Sequence, residues 1–248
     1  MQTNSQFLSQ LIQLSELRLK RERGYSFPNH EGRLGLVGGS LPRDAGGGFK
    51  IPDDVYFPGE KVDMHKMEGG MLRRLNENVA FGGRPAEEAA ITDSDGILLH
   101  GLTGTVGHVE IPQAIVDQAK KAGNWRVTHT HPNGPMHNNG ASFSDGDVMM
   151  AITMNLSEIR TVSQGPLGRF EFSLKRPEKG WPLSSVFWKE EENNRLELDH
   201  YLSKRILEGK ISRATMNLAF SHAVMTMTAR KLGLNYSMKR YVGETPRW

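Results

Sequence analysis

Residues 80–176 predict an α/β sandwich, on three observations. Short apolar runs with period-two alternation, the pattern of half-buried strands, are separated by Gly- and Asp-rich turns. Two stretches of helical spacing, 112–122 and the run opening at Ser144, interrupt them. A chain of 248 residues with 37% hydrophobic content is also long enough to bury a substantial core. The expected organisation is an N-terminal helix and Gly-rich arm over 1–79, the compact domain over 80–176, and a C-terminal helical extension over 177–248.

In chain order, 6–23 carries Leu8, Leu11, Ile12 and Leu19 at mostly helical spacing, with Lys20, Arg21 and Arg23 in the last turn and Gly24 after it. Positive charge follows the apolar part, the reverse of a secretion signal. No apolar run approaches the roughly 18 residues that span a bilayer, so a cytoplasmic location is expected. Gly35, Gly38, Gly39 and Gly46-Gly47-Gly48 predict a flexible arm. No Gly-Lys-Ser/Thr follows them, which removes a phosphate loop. A helical turn around 64–76 leads into the domain. A strand over 87–92, the turn Asp93-Ser94-Asp95-Gly96 and a returning strand over 97–100 form a hairpin. A loop over 101–107 and a short strand over 109–111 precede the helix 112–122, which buries Ile115, Val116 and Ala119 and ends at Gly123. One strand is expected from Trp125 to His131, closed by Pro132, and others at 159–162 and 170–174. Beyond the breakers Pro177, Gly180 and Pro182, Trp181 and Trp188 read as packing anchors. Helices follow over 190–207 and, rich in Met and Ala, over 211–232, the second packing on the domain or forming an oligomer or partner contact.

The chemistry concentrates at His129-Thr130-His131-Pro132. On a strand, residues two apart face one side, so both imidazoles enter one space, and Pro132 closes the strand. The loop from Asn133 to Gly140 leads to Ser144-Asp145-Gly146-Asp147, where Ser144 can cap a helix with Asp147 in its first turn. Two neutral imidazoles and one carboxylate are three protein ligands, leaving a fourth tetrahedral position for water. Zinc lowers the pKa of that water to about 7. His129, His131 and Asp147 are therefore the candidate ligands of a mononuclear Zn2+ site. The bland alternative is that Ser-x-x-Asp is only a capping box. Ser142 and Asp145 form a second such pair; Phe143 and Val148 frame the helix start and favour Ser144 and Asp147. His137, within the loop, is either exposed or a substrate contact or extra ligand.

This arrangement resembles the metal motif of the JAMM (MPN-domain) zinc metallopeptidases, in their prokaryotic or phage-type form. The resemblance implies a deaminase-like sandwich over 80–176, with zinc on His129, His131 and Asp147 and Ser144 as the oxyanion partner. It implies an upstream Glu as the proton carrier, for which Glu87 and Glu88 stand side by side. Glu87 shares strand parity with Ala89 and Ile91, the expected inward face, and is preferred; Glu110 lies near the wrong helix. The loop between Pro132 and Ser144 is longer than the family's usual spacing, which implies a modified substrate rim. The activity implied is hydrolysis of an amide bond by zinc-activated water. Substrates in such a family are proteins or peptides, among them ubiquitin-like conjugates and cell-wall peptides.

Composition bounds the remainder. No cysteine is present, which excludes disulfides, thiolate zinc sites, cysteine nucleophiles and the cysteine-dependent nucleoside deaminases. A net charge of +3 is no nucleic-acid signature. Two function classes follow: a zinc peptidase or isopeptidase, and a non-catalytic assembly or scaffold protein, for example virion-associated, built on the same fold. The complete ligand set favours the first.

Overall fold

Side chains alternate across the strands of a sheet, and the two faces of this sheet bury different chemistry. The computed structural model describes residues 53–80, 86–105, 107–131, 142–165, 168–210 and 213–241. The expected helix at 6–23, the glycine-rich arm up to residue 52 and the loop carrying His137 lie outside the described residues. Helix α1 (Met64–Ala80) is followed by strands β1 (Glu88–Thr92) and β2 (Leu98–Thr103), helix α2 (Gln113–Ala122), strand β3 (Arg126–Thr130) and helix α3 (Asp145–Thr153). Strands β4 (Glu158–Gly165) and β5 (Gly168–Lys175), helices α4 (Ser184–Leu207) and α5 (Arg213–Leu232) and strand β6 (Asn235–Tyr241) complete the chain. The protein is thus a mixed α/β structure around one six-stranded sheet, in the order β2-β1-β3-β4-β5-β6. Its one parallel pair is β3 with β4, joined through α3; the other neighbours are antiparallel.

Local signals account for most boundaries. Asp93 Oδ1 accepts from the amides of Asp95 and Ile97, and Gly96 takes the φ of 80° that closes the β1–β2 hairpin. Gly123, at φ 67°, caps α2 by donating to the Ala119 carbonyl. The strands run longer than expected: β2 continues to Thr103, and β4 and β5 span eight residues each, as their backbone pairing extends beyond the apolar alternation. The strand expected at 109–111 is absent; Val109 and Ile111 pack on the core from irregular backbone. Helix α4 begins earlier, at Ser184, and carries Trp188, which is 36% exposed. Trp181 is the anchor that the sequence predicts, packing on the core and donating its Nε1 proton to the Leu156 carbonyl.

One sheet face is the apolar core. Ala89, Ile91, Val127, Ile159, Phe172 and Leu174 of the strands meet Ile115, Val148, Phe187 and Met225 of the helices. The sheet continues past residue 176: β6 pairs with β5 from Asn235 to Tyr241, and Tyr236 and Met238 face the same core. The expected boundary at 79/80 falls at the end of α1, and that at 176/177 in the connection between β5 and α4. Among the described residues no helix is long and apolar enough to cross a membrane.

The opposite face, under α1, mixes apolar contacts with a buried ionic network. Met67, Met71, Ala90 and Leu98 form one cluster, and Leu72, Leu75 and Val162 another. Between α1 and the strands, Glu68 accepts from Arg160 Nε at 2.7 Å and Arg169 at 2.8 Å with no exposed surface of its own. Arg74 grips Glu88 at 2.8 Å, both side chains below 10% exposure. A buried pair stabilises little over an apolar pair, but removing one partner leaves an uncompensated charge. Arg74→Met is thus expected to cost about 3–5 kcal/mol in urea unfolding at pH 7. Glu77→Gln, which breaks the half-exposed Arg73–Glu77 pair, should stay within about 1 kcal/mol. Equal costs would show that the face under α1 is wetter than its burial indicates.

Candidate metal centre

Register brings the site together. Strand β3 lies between β1 and β4, with His129 opposite Ala89 on one side and Thr161 on the other. Val127 and His129 point to the core face, while Thr128 and Thr130 point toward α1. His131 follows the strand, its amide still donating to the Val162 carbonyl at 2.9 Å. The two imidazoles converge: His129 Nε2 and His131 Nε2 are 3.1 Å apart, with ring centroids at 4.9 Å.

Asp147 arrives from the first turn of α3. Its Oδ1 lies 3.0 Å from His129 Nε2 and its Oδ2 3.5 Å from His131 Nε2. Ser144 is the N-cap of α3 and forms a capping box with Asp147. Asp147 Oδ2 accepts from the Ser144 amide at 2.6 Å and from its Oγ at 2.7 Å, and the Asp147 amide donates back to Oγ. The capping and metal-site readings of Ser-x-x-Asp are therefore not exclusive. Capping occupies Oδ2 and turns Oδ1 toward His129. The second pair does not compete: Ser142 is buried and bonded to Tyr236, and the half-exposed Asp145 carboxylate reaches Arg195 at 3.3 Å.

Ligand atoms of His129, His131 and Asp147 all lie within 4.8 Å of one another, so this group could hold a metal ion. Nδ1 of His129 is buried without a hydrogen-bond partner among the described residues, so the polar contacts of that ring are those at Nε2. Burial would raise the Asp147 carboxyl, but His129 and His131 reverse the sign and hold it well below the ordinary carboxylate value.

The two candidate carboxylates part company at the strand entrance. Glu88 faces α1, held by Arg74, while its amide donates to Thr130 Oγ1 at 2.9 Å. Glu87, expected on the strand, stands just before β1, its amide donating to the Thr105 carbonyl at 2.9 Å, and its side chain is buried. Burial raises it to about 7, with His131 opposing and Asp147 reinforcing the shift, so it lies in the field of the site. Glu110 sits exposed between β2 and α2.

Sequence reasoning missed the support behind Ser144. His222 Nδ1 of α5 and the Tyr236 hydroxyl of β6 are 2.7 Å apart, and that hydroxyl is 2.7 Å from Ser142 Oγ. Phe143 packs edge-on against Tyr236. A buried chain from the C-terminal helix thus fixes the segment that delivers Ser144. Alternation of Tyr236, Met238 and charged residues would have disclosed β6, but nothing local pairs His222 with it. Compared with protein-family models, with curated proteins and with solved structures, the chain matches none.

Metal analysis of purified protein is expected to show one ion per chain in wild type, Asp145→Asn and Glu87→Gln, and loss in His129→Ala and Asp147→Asn. Ser144→Ala should weaken metal affinity about 10–100-fold by removing one of the two hydrogen bonds that hold Asp147 Oδ2; retention of metal by Asp147→Asn would remove it from the ligand set.

Burial depresses His222 from 6.5 to about 4. The unfolded chain then binds a proton that the folded chain refuses between these values, so stability falls as pH drops through that window and is unaffected above it. His222 is expected to contribute up to about 3 kcal/mol of acid destabilisation. Urea unfolding of His222→Gln from pH 7 to 4 should lack that component; an unchanged pH slope would overturn the assignment.

Proposed function

We propose that this chain is a zinc-dependent metallopeptidase or isopeptidase of the JAMM (MPN-domain) type. The observation that carries the reading is the convergence of His129, His131 and Asp147 beside a buried glutamate, Glu87. Ligand atoms about 2.0–2.1 Å from a tetrahedral zinc are separated by about 3.3 Å. His129 Nε2 lies 3.1 Å from His131 Nε2 and 3.0 Å from Asp147 Oδ1, near that edge length, and one ligand atom from each of the three residues lies within 4.8 Å of the other two. Nitrogen and oxygen donors with no thiolate suit zinc in a hydrolytic rather than a structural site. A mixed sheet with helices on both faces is compatible with the JAMM fold.

Zinc held by three protein ligands supplies a Lewis acid and makes water a nucleophile near neutral pH. The protein's own part divides into four tasks carried by five residues. His129, His131 and Asp147 would hold the ion, and the Ser144 hydroxyl and amide fix the orientation of the Asp147 carboxylate. Glu87 accepts the proton of the attacking water and delivers it to the leaving amine; burial has brought its affinity for that proton toward neutrality. Ser144, exposed at the rim, gives its one hydroxyl proton to Asp147 Oδ2 here; turned outward, that hydroxyl would donate to the carbonyl oxygen as negative charge develops there, leaving the Ser144 amide to hold Oδ2. The substrate class is a protein or peptide amide.

A scaffold role is the second reading, favoured by the exposed apolar side chains Leu196 and Leu207 on α4. Incubation of zinc-loaded protein with peptide and isopeptide-linked libraries, read by mass spectrometry, separates the two. Cleavage should vanish with chelator, return with zinc, and fall about 10²–10⁴-fold in Glu87→Gln although the ion stays bound. Zinc-loaded protein that cleaves neither library, and in which Glu87→Gln changes nothing, sinks the hydrolase reading and leaves the scaffold.

A further inference from the structure

A cavity of about 360 Å3 lies between the first turn of α3 and the α4–α5 helix pair. It reaches Ser144, whose Oγ is 2.7 Å from Asp147 Oδ2, so the cavity adjoins the helix cap that carries Asp147, while His129, His131 and Asp147 are not in its lining. Phe143, Val224 and Met225, each at most 4% exposed, supply an apolar lining. The charged part of the lining is Asp145, Glu191 and Arg195.

These charges do not balance. The Arg195 guanidinium reaches Asp145 at 3.3 Å and also pairs with Glu191 one helical turn away. One cation thus serves two carboxylates. The Glu191 side chain is only 6% exposed. Burial raises it despite the opposing pull of Arg195, with Asp145 and Glu192 adding to the upward push. A buried carboxylate that its partner only partly compensates is stabilised by a second cation. The apolar lining suits an aliphatic stem that carries such a charge.

We propose that this cavity is a subsite for a lysine or arginine side chain, its stem against Phe143, Val224 and Met225 and its charge at Asp145 and Glu191. That this side chain belongs to a substrate, flanking the cleaved bond, rests on the hydrolase reading; the binding itself needs neither metal nor turnover. Within the fold, the C-terminal helix pair then acts as a specificity wall for the site on α3.

The test uses the full chain, stripped of metal by chelator and then zinc-loaded. Nα-acetyl-lysinamide, Nα-acetyl-norleucinamide and Nα-acetyl-glutamic acid amide are titrated by NMR. Lysinamide is expected to bind about fivefold more tightly than its apolar analogue in both forms, and glutamic acid amide more weakly than either. Asp145→Asn should reduce the lysine preference toward parity. Arg195→Gln, which releases both carboxylates, should strengthen lysinamide binding; a purely structural Arg195 would give no gain. Circular dichroism and melting confirm that each variant is folded. Absence of lysinamide binding, equal binding of norleucinamide, or a preference that survives Asp145→Asn overturns the subsite. Failure to bind zinc or to cleave peptides, with the lysine preference intact, overturns the hydrolase reading alone.

Discussion

The register of β3 between β1 and β4 is the constraint on which the remaining structure depends. With a side-chain period of two, a slip of one residue would turn His129 toward α1 and put Thr128 in the core. Two hydrogen-bonded neighbours prevent it. The antiparallel partner sets Ala89 against His129, and the parallel partner sets Thr161 there from the other side. Thr130 adds a side-chain lock on the opposite face by accepting from the Glu88 amide. Fixing the two histidines thus also fixes which of the adjacent glutamates joins them. Glu87 and Glu88 differ by one residue, yet Glu88 is held by Arg74 and Glu87 lies in the field of the site.

Asp147 depends on a different device, the start of a helix. A capping box satisfies amides that a helix terminus leaves open, and here it also orients a carboxylate. The cap is stiffened from behind, since Phe143 and Ser142 are held by Tyr236, and Tyr236 by His222. The C-terminal helix and edge strand are therefore structural support for the site's rim. A helix pair that merely followed the domain would leave Ser144 hinged on a loop.

What could be read from the sequence follows the range of each interaction. Ser-x-x-Asp at a helix start and Asp-Ser-Asp-Gly at a hairpin are local devices and stand where their spacing predicts, while His-x-His has His129 on the strand and His131 just past its end. Strand lengths were less legible because β2, β4 and β5 extend through Thr103, Ser163 and Arg169, polar residues whose backbone the neighbouring strands pair. Strand β6 escaped because its polar edge resembles a charged tail; only the partner β5 makes it a strand. The Ser142–Tyr236–His222 chain joins residues far apart in sequence. No spacing rule encodes such a contact.

The two sheet faces also compensate carboxylates in different ways. Under α1, Glu68, Glu88, Glu158 and Glu171 each face a guanidinium, of Arg74, Arg160 or Arg169. A guanidinium is permanently charged and forked, which suits a carboxylate that must stay fixed. On the core face, Asp147 meets imidazoles, and among the described residues no Lys or Arg pairs with Asp147 or Glu87. Arginine there would have neutralised the pair and filled the space between the rings. Imidazole nitrogens instead give up a proton readily and offer lone pairs to the same point that Asp147 faces. An arrangement serving stability alone would gain more from the arginines used on the other side of the same strands. Paired imidazoles and a carboxylate without a fixed cation leave room for a charge that comes from outside the chain.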